Sequence, residues 1–159
     1  MGKVKQIKNR IVALLEGLQY GDETAYGHVV SDTHVTFETY PASRVVLNGQ
    51  PNEVSTNKQN ERTPEFLIIS YFKYEQVAEG ETANQAEAAA FDLAYDFNDL
   101  VIDALDALQP KDENNQPFTV ITKPAQAGWE ILETEAGNIL SIMATVGIRY
   151  SHDVEGLGQ

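Results

Sequence analysis

Apolar positions near the start of the chain recur at helical spacing. Val4, Ile7, Ile11, Leu14, Leu15 and Leu18 fall on one side of a helix that should run from about Lys3 to Leu18 and stop before Gly21. Residues 19–33 mix Gly21 and Gly27 with polar groups and read as a loop. Val35 to Tyr40 alternates, with Val35, Phe37 and Thr39 on one side, and reads as a strand until Pro41 interrupts it. Arg44 to Leu47 continues it as an edge strand or after a bulge. Asn48 to Pro64 is polar and reads as a long loop, and loops beyond about 12–15 residues are usually functional or mobile.

Glu65 to Glu75 carries apolar groups on both faces. Leu67, Ile69 and Tyr71 point one way, and Phe66, Ile68 and Phe72 the other. Such a strand needs cover on both sides. A long helix follows, from Thr82 as N-cap to Leu108, stopped by Pro110. Leu93, Phe97, Val101, Ala104, Leu105 and Leu108 form its apolar side. Phe118–Lys123, Gly128–Thr134 and Asn138–Tyr150 are expected as three further strands, with a turn over residues 135–138 between the last two. In the final strand Leu140, Ile142, Ala144, Val146, Ile148 and Tyr150 share a face.

This order predicts an α+β fold, a mostly antiparallel sheet with two helices packed on one face. Residues 1–150 are expected to form a single domain and residues 151–159 a loose polar tail. The two helices can cover one side of the 65–75 strand. The other side calls for another layer, a neighbouring subunit being one source.

Charge changes this picture in two places. The net charge of −13 on 159 residues repels phosphate backbones, which argues against ordinary nucleic-acid binding. Its distribution is uneven. Lys3, Lys5, Lys8 and Arg10 make the first helix basic, whereas residues 75–115 are acidic, an asymmetry that suits head-to-tail contact between copies as well as a solvated monomer. On the long helix Asp92, Asp96, Asp99, Asp103 and Asp106 are spaced 4, 3, 4 and 3 apart. They share an arc of about 80° at 3.6 residues per turn. Like charges so placed repel by roughly 0.2–0.5 kcal/mol per pair. The stripe is a solvated face, a functional negative surface or a metal site. A linear row on one helix cannot by itself surround a cation.

Candidate chemistry is sparse. The chain has no cysteine, which removes disulfides and thiolate chemistry. No apolar run approaches the ~18 residues that span a membrane. The basic start turns amphipathic at once and does not read as a secretory signal. His28 and His34 flank Ser31 and Asp32, but no catalytic motif surrounds them, and they read as polar groups of a loop. A small hydrolase using His28, Asp32 and His34 is the minor alternative. Glu130, Glu133 and Glu135 read as the solvent side of a hairpin, and Trp129 as core or interface. No catalytic, cofactor-binding or metal-ligating residue is assigned, and the chain is not expected to be an enzyme.

Several fragments, in order, carry a resemblance. They are Phe37-Glu38-Thr39-Tyr40-Pro41 after an N-terminal helix, Asn60-Glu61-Arg62 before a strand, Ile102-Asp103-Ala104-Leu105 closing an Ala-rich helix, and Trp129-Glu130 before a long terminal strand. The order resembles the tail terminator (tail completion) proteins of long-tailed bacteriophages, over roughly residues 1–150. The resemblance implies a structural virion protein without catalytic residues or cofactors. Such a protein is made in the host cytoplasm and forms a hexameric ring that caps the tail tube at the neck. The implied partners are further copies of the chain, the tail tube protein, a head-closure or other neck protein and, in contractile tails, the sheath protein. Genome DNA would pass through unbound. Another neck or tail tube protein is the nearest alternative. Within that reading Lys5 and Lys8 are candidate subunit contacts. Asn48, Gln50, Asn52, Asn57, Asn60 and Arg62 belong to a candidate docking arm. The five aspartates are candidates for the channel lining.

Overall fold

A computed structural model describes residues 2–31, 37, 39–49, 52–54, 59–74, 81–107, 119–134 and 137–153. In chain order the elements are α1 (Lys3–Glu16), β1 (Gln19–Tyr20), β2 (Glu23–Thr24), β3 (His28–Val30), β4 (Ala42–Gly49), β5 (Asn52–Val54) and β6 (Gln59–Arg62). They continue with β7 (Glu65–Tyr74), α2 (Glu81–Asp106), β8 (Thr119–Thr134) and β9 (Gly137–Asp153). The fold is α+β. All described strand pairs are antiparallel except β3 with β4.

The main sheet is simpler than its strand list suggests. The register that pairs Tyr74 of β7 with Asn138 of β9 continues without a slip to Gln59 of β6 with Asp153. Strands β6 and β7 are therefore one line, broken at Thr63 and Pro64, and Ile148 N–H still bonds the Pro64 carbonyl at 3.1 Å. Strands β4 and β5 form a second line. After a one-residue shift between Leu47 and Gly49, the pairing of Gly49 with Glu65 runs on to Val54 with Asn60. The sheet thus reads across as β3, then β4 with β5, then β6 with β7, then β9, then β8.

Helical spacing places Ile7, Ile11 and Leu15 on one side of α1, and Ala90, Ala94, Phe97, Val101 and Leu105 on one side of α2. Both sets join a single core with Val45, Phe66, Ile68, Phe72, Leu140, Ile142, Val146, Ile148 and Tyr150. Alternation assigns these strand residues to one face of the sheet. The two helices cover that face, as expected.

Four sequence expectations need correction. The strand expected at 35–40 is absent at Phe37, Thr39 and Tyr40, while residues 35, 36 and 38 lie outside the described residues. The loop expected at 19–33 contains the small β1–β2 hairpin and β3. The strands expected at 118–123 and 128–134 are one strand, β8, with register shifts between Val120 and Thr122, Thr122 and Ala125, and Gln126 and Gly128. Strand β8 runs through Pro124, because an edge strand with bulges tolerates a residue without an N–H. Finally, the tail expected from Ser151 is paired through Asp153 against β6. Residues 154–159, and Leu108 and Pro110 at the helix end, lie outside the described residues.

Beneath the helices one polar pair is buried. The hydroxyls of Tyr26 and Ser70 share a hydrogen bond of 2.6 Å. Burial is the main cause that pushes the Tyr26 phenol up to about 12, against the opposing effect of that bond. Above pH about 10 the unfolded chain gives up this proton while the folded chain keeps it. Deprotonation therefore favours unfolding, and the stabilisation present below pH 10 is lost as pH rises toward 12. On the order of 2–3 kcal/mol is expected to disappear over that window. Tyr26→Phe should show a correspondingly shallower loss between pH 9 and 12 in urea titrations. Equal slopes for the two proteins would contradict this.

Candidate functional site

The face of the sheet away from the helices is the most distinctive surface. Alternation brings Arg44, Ile69, Tyr71, Met143, Ser141, Ile139, Glu130 and Leu132 to it from four neighbouring strands. Together with Tyr40 they line a shallow hollow of about 270 Å³. A short aromatic segment lies over one end. Phe37 stands 4.9 Å from the Tyr71 ring and 5.9 Å from Tyr40, and meets His28 edge-on at 5.7 Å. Arg44 lies over the Tyr71 ring at 5.9 Å, and Lys73 Nζ over Tyr40 at 5.8 Å. Burial raises the Tyr71 phenol above its usual range and Arg44 opposes this, with smaller upward effects from Glu130 and Tyr40. The second covering layer expected from sequence is therefore supplied in part by the chain itself. Among the described residues the rest of this face is uncovered, mixed in polarity, and suited to contact rather than to enclosing a substrate.

Trp129 is not core. It lies half-exposed on β8, with its ring edge-on to Phe91 of α2 at 5.2 Å, and Phe91 in turn meets Tyr95 at 6.0 Å. Among the described residues β8 pairs only with β9, so its outer backbone edge is open. Glu130 and Glu133 are exposed there, as the hairpin reading expected; Glu135 lies outside the described residues.

The five aspartates are all exposed, on the side of α2 opposite its buried stripe. One has a specific partner. Tyr20 donates its hydroxyl proton to Asp96 Oδ2 at 2.8 Å, and its ring packs 5.0 Å from Phe97. That hydrogen bond, ahead of desolvation and the Asp96 charge, raises the Tyr20 phenol. Nothing in the local pattern around Tyr20 marked it, because the contact spans 76 positions of sequence. On α1, Lys5 is exposed and Lys8 half-buried.

The largest correction at this level is to the loop expected to form the candidate arm. Asn52 and Arg62 are opposite partners in the β5–β6 pair, and Asn60 pairs with both Val54 and His152. Asn48 is exposed in β4, while Gln50 and Asn57 lie outside the described residues. The polar segment is thus the far end of a long hairpin within the sheet. Strand pairing uses backbone groups, so polar side chains do not forbid it when a partner strand such as β9 is in place.

Of the histidine cluster, His28 sits in β3, and Asp32 and His34 lie outside the described residues. Among the described residues no group of three or more His, Asp or Glu side chains is placed to hold a metal ion. None of the described helices is long and apolar enough to cross a membrane. Comparison with known protein families and with curated proteins finds no match to this chain.

Proposed function

We propose that this chain is the repeating subunit of a tail terminator ring, closing the tail tube of a long-tailed bacteriophage and joining it to the neck. The observation that carries the reading is the build of the α+β subunit. Two helices seal one face of the sheet, while the opposite face and both sheet edges keep apolar and aromatic groups exposed. Surfaces of this kind favour association over isolation. The resemblance in element order supplies the number of copies, six, and the partners: the tail tube protein on one side, and a head-closure or other neck protein on the other. In a contractile tail the sheath protein would be a further neighbour.

The test is the mass of the purified protein by light scattering, together with negative-stain images. Rings of about six copies with a central hole are expected. A compact monomer at tens of micromolar would remove the proposal.

In such a ring the exposed aspartate face of α2 is the proposed wall of the DNA path. A negative wall repels the phosphate backbone and keeps the genome from sticking. Asp92→Asn, Asp96→Asn, Asp99→Asn and Asp103→Asn combined should leave assembly intact and slow DNA ejection. Ejection at the wild-type rate would place the stripe elsewhere.

A further inference from the structure

The two edges of the main sheet differ in a way that fits one against the other. At one edge, three of the most exposed large apolar side chains gather. These are Trp129 (55% exposed) and Leu132 (58%) on β8, and Tyr95 (49%) on the neighbouring flank of α2. Trp129 and Tyr95 are linked through Phe91. Charges at this edge are acidic. Glu130 and Glu133 are exposed on β8. From Gly128 to Thr134 the β8–β9 pairing runs without a shift, so the outer rim of this half is regular. The three bulges lie in the other half, between Val120 and Gly128. Bulges protect a sheet edge against further pairing, and this stretch has none.

At the opposite edge the pattern is reversed. Strand β3 covers β4 only from Ala42 to Arg44. From Val45 to Gly49 the outer side of β4 has no strand beside it among the described residues, and β5 continues that line with only β6 as partner. Leu47 is 44% exposed there. The helix that packs over β3 and β4 is α1, whose charged residues from Lys3 to Leu15 are all basic. One molecule therefore carries an acidic, aromatic, open edge on one side and a basic, apolar, open edge on the other.

We propose that the β8 edge of one copy seats against the β4 edge and α1 of the next, extending the sheet from copy to copy. The inference rests on the reading of the chain as a ring subunit and names the two surfaces that meet. Two different patches meet in it, so the contact is heterologous and propagates until it closes. Trp129 supplies the apolar contact to Leu47 on the helix-covered face, and Leu132 lies at the same seam on the opposite face. Glu133, on the helix-covered face of β8, lies toward Lys5 and Lys8. Charge pairs at such a rim set orientation and association rate more than final affinity, and salt weakens them.

The experiment uses two charge-reversed proteins, measured by light scattering at low salt. The first carries Lys5→Glu and Lys8→Glu, the second Glu133→Lys. Each alone sets like charges against each other at every contact and should need at least tenfold more protein to assemble. Mixed in equal amounts they should assemble together, because the altered edges of the two variants pair acidic against basic, and their unaltered edges do the same. Leu132→Lys, at an exposed position, should also weaken assembly at least tenfold and does not depend on the charge pairing. Circular dichroism confirms that every variant is folded. Wild-type assembly by either charge variant, failure of the folded mixture to assemble, or no effect of Leu132→Lys would overturn the pairing and leave the ring reading standing. A monomeric wild-type protein would overturn both.

Discussion

Replacing Phe97 by alanine is expected to cost the folded chain about 3–5 kcal/mol, the range for removing a buried aromatic side chain. Three rings meet Phe97. Phe72 of β7 and Tyr26 contact it edge-on at 5.1 and 5.3 Å, and Tyr20 contacts it at 5.0 Å from the β1–β2 hairpin. Phe97 itself is buried to within 2%. It thus ties α2 to the sheet and to the segment after α1. Aromatic pairs of this geometry add about 0.5–1.5 kcal/mol each beyond area burial. The cavity left by alanine faces three large side chains that cannot all collapse into it. Phe97→Leu should cost less, and Tyr20→Phe, which keeps the ring and loses only an exposed hydrogen bond, under about 1 kcal/mol. Urea midpoints for the three variants provide the check. A loss below 1 kcal/mol for Phe97→Ala would show that the aromatic cluster is not the tie described.

The turn from β8 into β9 is expected to be nearly as sensitive. Gly137 has φ 131°, a conformation that L residues rarely adopt. A Cβ there would lie 2.9 Å from the Tyr74 carbonyl oxygen, which is backbone and cannot swing aside. Gly137→Val should therefore cost on the order of 3 kcal/mol or more, since strain and overlap act together. Gly21, with φ 65° and open space around it, separates the two causes. Gly21→Ala should cost only the conformational term, about 1–2 kcal/mol. Similar losses at both positions would mean that the Tyr74 contact relaxes freely.

Much of the fold follows from spacing within short windows. The buried side of α1, the buried side of α2 and the alternation in β7 and β9 all lie where apolar periodicity puts them. Burial rewards a face, and a face is a local pattern once the period is known. The aspartate face is exposed for the same reason, since it is the remainder of an amphipathic helix. These features, with the α+β class, were determined by the sequence itself.

Other features depended on partners distant in sequence. The polar stretch around Asn52 and Asn60 is strand because β9 runs past it in register, and Ser151 to Asp153 are strand for the same reason. Strand β8 continues through Pro124 because it lies at an edge and bulges there. Trp129 stays half-exposed although Phe91 of α2 meets its ring edge-on. Tyr20 reaches Asp96, and Phe37 reaches Tyr71, across gaps that no local pattern encodes. The common cause is that strand pairing satisfies backbone groups whatever the side chains are. Likewise, a large side chain is buried or exposed according to what the rest of the chain brings over it. Only the tertiary structure decided those positions, and with them which surfaces of this protein are left to meet a partner.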